Sequence, residues 1–249
     1  MSEALVLVTR AAPIAVVELN RKSKRNALSM ALRDQLEAAL AGLEEDPEIK
    51  SVVLTGGTEF FCAGFDLQEM SETQLQALTH RALEFQERTL FFKKPLVTAV
   101  AGFALAGGFD LAMAGDVVVA AEGATFGRPE VLWGPNPLLC KVASRIGMVR
   151  AVQISLTGEK FPAERAKELG LVDRVVPLSE LLATARSEAE RLAVAPLETI
   201  LAIKQAALTV PLLDPRGALS FEFGLTASLA VRGAMGQQLV AYTERTLKK

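Results

Sequence analysis

Runs of Val, Leu, Ile and Ala recur in the first half of the chain at Leu5–Val8, Ile14–Leu19, Ser51–Thr55, Leu96–Val100 and Asp116–Ala121. Each is short and bounded by turn residues, which predicts sheet strands covered on both faces. Between them the spacing turns helical. Leu32, Leu36, Leu40 and Leu43 form one apolar stripe behind Ser29, a candidate N-cap, and the stripe stops before Asp46-Pro47. Ser71 followed by Gln74 resembles a capping box opening a second helix. That helix must end near Lys93-Lys94-Pro95, because proline disfavours helix in the residue before it. The alternation predicts an α/β core. Beyond Leu138 helix signals dominate: Gly147 and Gly170 fall where C-terminal caps belong and Pro162 at a first helical position. From Ser179 onward the pattern is nearly all helical, broken at Pro196 and Asp214-Pro215. We therefore divide the chain into an α/β body over residues 1–195 and a helical region over 196–249. In the latter, Leu219, Phe221, Phe223, Leu225, Leu229 and Val231 exceed what one narrow stripe needs, so the tail is expected to pack on a partner subunit as well as on its own body.

Composition narrows the function classes. With 249 residues, half of them hydrophobic, the chain can bury a substantial core. Lys and Arg number 27 against 29 Asp and Glu, a net charge of −2. No overall field gathers nucleic acid or an anionic membrane, and neither partner is expected. Cys62 and Cys140 belong to no Cys/His cluster, which argues against a zinc site or a disulfide scaffold; both read as small buried hydrophobes. The start, Met1-Ser2-Glu3-Ala4, lacks the features of a secretory signal, so the expected location is the cytoplasm. The longest apolar run, Leu96 to Phe109, is too short for a membrane span and carries three glycines; it reads as a buried strand running into a helix.

The candidate chemistry rests on carboxylates and backbone groups. His80 sits in a predicted helix with no nucleophile to serve and reads as a surface residue, and no Walker loop, metalloprotease or EF-hand pattern occurs. Two segments stand out, Phe61 to Leu67 and Ala101 to Asp110. Each follows a predicted strand and brings small residues to a turn into helix, where unpaired N–H groups and the helix dipole favour negative charge. Either alone could be a packing turn. The second also lacks the glycine spacing of a dinucleotide site. Two such turns in one chain raise the odds of a shared anion site.

The strings Cys62 to Leu67, Ala106 to Ala112, Ala124 to Glu130 and Ala166 to Val172 resemble, in order and spacing, motifs of the crotonase (enoyl-CoA hydratase/isomerase) superfamily. The resemblance runs from about Val16 to the C-terminus. It implies an α/β spiral of ββα turns, a C-terminal helical region that builds a homotrimer or a homohexamer, and an acyl-CoA thioester as substrate, with no cofactor beyond the CoA moiety and no metal. The backbone N–H groups of Phe65 and Gly107 would form the oxyanion hole. Lys24, Arg25, Ala27, Leu28, Ala63, Gly64, Asp66 and Leu67 would bind CoA, and the basic run from Arg21 to Arg25 makes independent sense as a phosphate contact. Glu130 and Asp110 would be the catalytic carboxylates, the second shorter than the glutamate that family hydratases carry. Glu130, raised in pKa by an apolar pocket, would protonate C2, while Asp110 would orient or deprotonate the water attacking C3. Departures follow Glu130, where Trp133-Gly134-Pro135-Asn136-Pro137-Leu138 replaces the usual glycines; Leu138 excludes the third acid of dienoyl-CoA isomerases and the nucleophile of dehalogenases. The leading expectation is hydration of a 2-enoyl-CoA. The alternatives are double-bond isomerisation by Glu130 alone, a hydratase-lyase acting on phenylpropenoyl-CoA, and an acyl-CoA-binding protein without catalysis.

Overall fold

The computed structural model describes residues 4–72 and 75–231, together with 236, 239, 240, 243 and 244. Two compact units emerge, Met1–Leu192 and Ala193–Lys249.

The first unit opens with a hairpin, β1 (Val6–Ala11) antiparallel to β2 (Ile14–Leu19). Next comes α1 (Met30–Glu45), capped by Ser29, whose hydroxyl accepts from the Leu32 N–H at 3.3 Å. Its buried face is the Leu32, Leu36, Leu40, Leu43 stripe. β3 (Ser51–Thr55) leads to α2 (Leu67–Glu72) and α3 (Leu75–Leu90). Ser71 therefore lies inside α2 rather than at a helix start, and Gln74 lies outside the described residues.

From β4 (Leu96–Val100) onward the chain alternates between two sheets. β5 (Phe103–Leu105) leaves for the second sheet, α4 (Gly107–Ala112) follows, β6 (Val117–Ala121) returns to the first, and β7 (Thr125–Gly127) leaves again. After α5 (Cys140–Ile146) and α6 (Met148–Thr157), β8 (Lys160–Pro162) joins the second sheet. α7 (Ala163–Leu169) then precedes β9 (Arg174–Val176), which closes the first, and α8 (Leu181–Leu192) packs across β3, β4 and β6. The larger sheet has the order β1-β2-β3-β4-β6-β9, parallel from β2 onward, and the smaller is β5-β7-β8. This repeated departure and return fits the spiral that the family resemblance implies. It explains why β3 and β4 are buried throughout.

Gly147 and Gly170 cap α5 and α7 with φ of 77° and 87°, conformations that glycine adopts without penalty. Pro162 stands one residue earlier than expected, as the N-cap of α7, because it is still the last residue of β8. Cys62 is buried but Cys140 is exposed, contrary to the expectation for both: it opens α5 on the outward side while its neighbours Lys141 and Val142 face in. The second unit contains α9 (Leu197–Thr209) and α10 (Pro215–Val231), which lie against each other. No single helix among the described residues is long and apolar enough to cross a membrane.

Candidate active site

The site is built at the carboxyl end of the smaller sheet, where neighbouring parallel strands deliver their following residues to one place. β5 and β7 pair with Leu105 opposite Gly127, and the Ala106 N–H extends the ladder to the Gly127 carbonyl at 3.0 Å. The residues after β5 are Ala106 and α4 with Asp110; those after β7 are Arg128 and a 3-10 turn, Pro129–Trp133, with Glu130. The sheet register thus sets the two carboxylates side by side. Phe109 fixes α4 in this position by packing edge-on against Phe126 and Phe161, with centroids 6.3 and 6.4 Å apart.

On its other edge β5 receives the Phe61–Phe65 segment. The Phe61 and Cys62 N–H groups both donate to the Phe103 carbonyl at 3.1 Å, and the Leu105 N–H donates to the Cys62 carbonyl at 3.0 Å. Beyond it, the Leu28 N–H donates to the Gly64 carbonyl at 2.8 Å and the Ala63 N–H to the Arg25 carbonyl at 3.1 Å. The structure thus brings Arg25, Leu28, Ala63 and Gly64 into one contiguous strip. Gly64 has φ 102° and no space for a side chain: a Cβ would lie 2.9 Å from the Ala106 Cβ and 3.2 Å from the Gly107 nitrogen. That close approach sets Phe65 next to Gly107. Leu28 makes its bond with Gly64, so the Phe65 N–H points away from the Leu28 chain. Ala106, at φ 49° and ψ −125°, is in a conformation rare outside glycine and turns the chain so that Gly107 begins α4. Among the described residues neither the Phe65 nor the Gly107 N–H has a backbone acceptor.

Around the carboxylates lies a buried polar cluster. Arg128, fully buried, donates from Nη2 to Asp110 Oδ1 at 3.0 Å and to the Leu138 carbonyl at 2.7 Å, and from Nη1 to Ser155 Oγ at 3.0 Å. Its guanidinium stands over the Phe109 ring, 5.3 Å from the centroid, and its Nε lies 3.7 Å from Glu130 Oε1. Lys141 donates to Gln86 Oε1 at 2.8 Å, Thr89 Oγ1 at 3.0 Å and, more weakly, the Asp110 carbonyl at 3.5 Å. Glu130 Oε2 is buried without a hydrogen-bond partner. Burial pushes Glu130 above the ordinary carboxylate range, reinforced by the charge of Asp110 and opposed by its own backbone N–H and Arg128. Burial also raises Asp110, against the pull of Arg128 and Lys141, and lowers Lys141 to about 8.

The enoyl-CoA hydratase/isomerase family model matches residues 9–245. The chain belongs to this family. It is 39% identical over 197 residues to a 2,3-dehydroadipyl-CoA hydratase of Escherichia coli, covering 78% of this chain and 76% of that protein. It is 32% identical over 249 residues to a probable enoyl-CoA hydratase of Rhizobium meliloti, covering 98% and 97%. Among solved structures, an enoyl-CoA hydratase from Bacillus anthracis superimposes with a TM-score of 0.90 at 29% identity, covering 97% of this chain and 96% of the other.

Contacts within the segments that the family resemblance marks show how the site is held. Asp66, expected among the CoA contacts, is clasped by Arg21, whose Nη1 donates to Asp66 Oδ2 at 2.6 Å and to the Ala27 carbonyl at 3.0 Å. Burial would raise Asp66, but the bonds from Arg21 and from the following backbone N–H groups outweigh it and hold the carboxyl below its ordinary range. Lys24, Arg25 and Leu67 are exposed beside this clasp, Leu28 is buried, and Ala27 and Ala63 are half-buried. Asn26, which sequence reasoning passed over, organises the strip: its fully buried amide donates to the Gly56 and Phe61 carbonyls at 3.2 and 3.0 Å. Asn26 and Arg25 both have positive φ, and Asn is among the residues that tolerate it. Arg33 was also missed; it is buried with its guanidinium 5.2 Å from the centroid of the Phe65 ring. Trp133 is half-exposed, and Leu138 contributes its carbonyl to Arg128. His80 is exposed on α3, its Nε2 3.4 Å from Glu84 Oε1. Among the described residues no His, Cys, Asp and Glu side chains converge as a metal site.

Proposed function

We propose that this protein hydrates 2-enoyl-CoA thioesters. The observation that carries the reading is the convergence, at the carboxyl ends of two adjacent strands, of Glu130 and Asp110 beside two N–H groups without backbone acceptors. The thioester oxygen would sit against the Phe65 and Gly107 N–H groups and gain their bonds most strongly as it becomes an enolate oxygen; one such donor is worth about 2.7–4 kcal/mol in the transition state. Glu130, raised by burial and carrying a free oxygen, would exchange the proton at C2. Asp110 would orient the water that adds at C3. CoA would run along the strip of Lys24, Arg25, Ala27, Leu28, Ala63, Gly64 and Leu67, with Asp66 shaping it through Arg21. A homotrimer or a pair of trimers is the proposed assembly.

A second reading draws on the Arg128 contact. Because Asp110 is ion-paired, Glu130 could shuttle a proton between C2 and C4 without water, which is isomerisation. A panel of short, long, dicarboxylic and aromatic enoyl-CoA thioesters, followed by mass spectrometry, separates the two. A gain of one water supports hydration; a rearranged product of unchanged mass replaces it with isomerisation, and neither product on any thioester overturns both.

A further inference from the structure

Arg128 is the one ion partner of Asp110 among the described residues, and its contacts leave it little freedom. Each Nη is committed to a fixed acceptor, on Asp110, Leu138 and Ser155, and the flat of the guanidinium rests over Phe109. These acceptors come from α4, the segment after Glu130, and α6, so three parts of the fold converge on one side chain. The planar fork of arginine suits such a set and a lysine's single ammonium does not. Lys141, the other buried cation near Asp110, meets uncharged acceptors on α3 and approaches the backbone carbonyl of Asp110. The charged groups that face Asp110 are therefore Arg128 and Glu130 from the segment after β7 and Lys141 from α5; Gln86, Thr89 and Ser155 are neutral.

We propose that Arg128 is a positioning residue that holds Asp110 as an ionised, immobile carboxylate and so confines proton transfer to Glu130. The inference rests on the acid–base reading of the Glu130 and Asp110 pair. Its chemical basis is that two carboxyls in one low-dielectric site tend to share a proton, since neither tolerates the other's charge. The guanidinium is hydrogen-bonded to Asp110 at 3.0 Å but lies 3.7 Å from the nearer oxygen of Glu130, without a hydrogen bond to it, and this unequal hold breaks that symmetry. Asp110 keeps its charge through Arg128, its negative charge favours the proton on Glu130, and the two groups acquire separate tasks. Two carboxylates competing for one proton would instead interchange roles within the catalytic cycle.

Three variants test this. Arg128→Met removes the charge, Arg128→Gln removes it but keeps hydrogen bonding to Ser155 and Leu138 should the first fail to fold, and Arg128→Lys restores a cation. With Arg128 gone and Lys141 approaching only its backbone carbonyl, Asp110 should bind a proton near neutral pH. An infrared difference spectrum at pH 7, using 13C-labelled aspartate, should show a protonated carboxyl band in Arg128→Met or Arg128→Gln. The band should be absent from the wild type and disappear when Asp110→Asn is added. The acid limb of the kcat profile should move up by at least one pH unit in the uncharged variants and return in Arg128→Lys, with KM for the thioester within about threefold. Absence of the new band, or a profile lowered evenly at all pH values, overturns the proposal. The spectrum needs no substrate, so a wild type that fails to hydrate enoyl-CoA while the band appears removes the proposed reaction and leaves the role of Arg128 standing.

Discussion

A carboxyl group delivers a proton only if it holds one at the working pH and has an oxygen free to face the substrate. Burial moves Glu130 toward the first condition and its unpartnered Oε2 meets the second, whereas Asp110, also raised by burial, is tied to Arg128. Glu130→Gln keeps size and polarity but cannot transfer the proton, so turnover should fall by about 10²–10⁴ while CoA affinity holds, measured by steady-state rates and calorimetric titration. Near-normal turnover would remove Glu130 from the mechanism. Asp110→Asn acts differently because it takes from buried Arg128 its hydrogen-bonded counterion and leaves only Glu130 at 3.7 Å, at a cost of up to about 3–5 kcal/mol in stability. Denaturation midpoints must accompany the kinetics, and Asp110→Asn with Arg128→Met should recover part of that loss. Lys141 carries a further pH signature. Its folded pKa, lowered by burial to about 8, lies below the unfolded value near 10.4, so between these the unfolded chain holds the proton and the folded chain does not. Lys141 therefore makes stability rise with pH through that window, by up to roughly tenfold in the folding equilibrium per pH unit. Lys141→Met should abolish this rise, read from denaturant titrations between pH 7 and 10.

At the scale of elements, the α4 start explains why glycines occupy positions 107 and 108. A Cβ on Gly108 would lie 2.3 Å from the Cys62 carbonyl oxygen, a backbone atom that cannot move without breaking the β5 edge. Gly108→Ala should cost at least about 1–3 kcal/mol. Gly42, inside α1 with nothing within 4 Å of its would-be Cβ, is the matched contrast, and Gly42→Ala should stabilise by about 0.5–1 kcal/mol. Equal shifts in the two denaturation midpoints would refute this account. Gly107→Pro suits a first helical position and deletes the donor, but the new Cβ meets the Phe65 ring at 2.7 Å, so it is best paired with Phe65→Leu. At least about a hundredfold loss of turnover in the pair, against Phe65→Leu alone, is the expected result. The same elements show what could be read beforehand. Strands of five or six residues and α1 were legible to within a few residues, because each carries enough periods for a pattern. β5, β7, β8 and β9 have three residues each and exist only through their partners, so no local pattern marks them. Glu130 and Asp110 could be placed through motifs. Arg128 and Lys141 could not be assigned to the site, since a charged residue in a sequence reads as solvated and their burial is a product of strand register and helix packing. The one available hint was an arginine two positions before Glu130 inside a recognised string.

For the molecule as a whole, the helical unit poses a solubility problem. α10 has 17 residues, none of them buried, and Leu219, Phe223 and Val231 on it are 57%, 68% and 88% exposed. On α9 and the turn after it, Ile203, Leu212 and Leu213 are exposed as well. Burying one such side chain gains about 1.5–3 kcal/mol, so several together can offset the entropy of association that a single contact could not. Scattered exposed leucines are ordinary, but apolar side chains concentrated on two neighbouring helices mark an interaction surface. With the same surface on every copy, closed rotational symmetry lets each chain cover another's helices. The expected outcome is a particle of three or six times 26.6 kDa in sedimentation equilibrium at micromolar concentration. Phe223→Glu combined with Leu219→Glu places charges on that surface and should shift the equilibrium to monomer, with the far-ultraviolet circular dichroism retained because neither side chain is part of a buried core. A wild type that sediments as a monomer would refute the assembly. A double variant that stays trimeric would instead show that another face of the molecule holds the copies together.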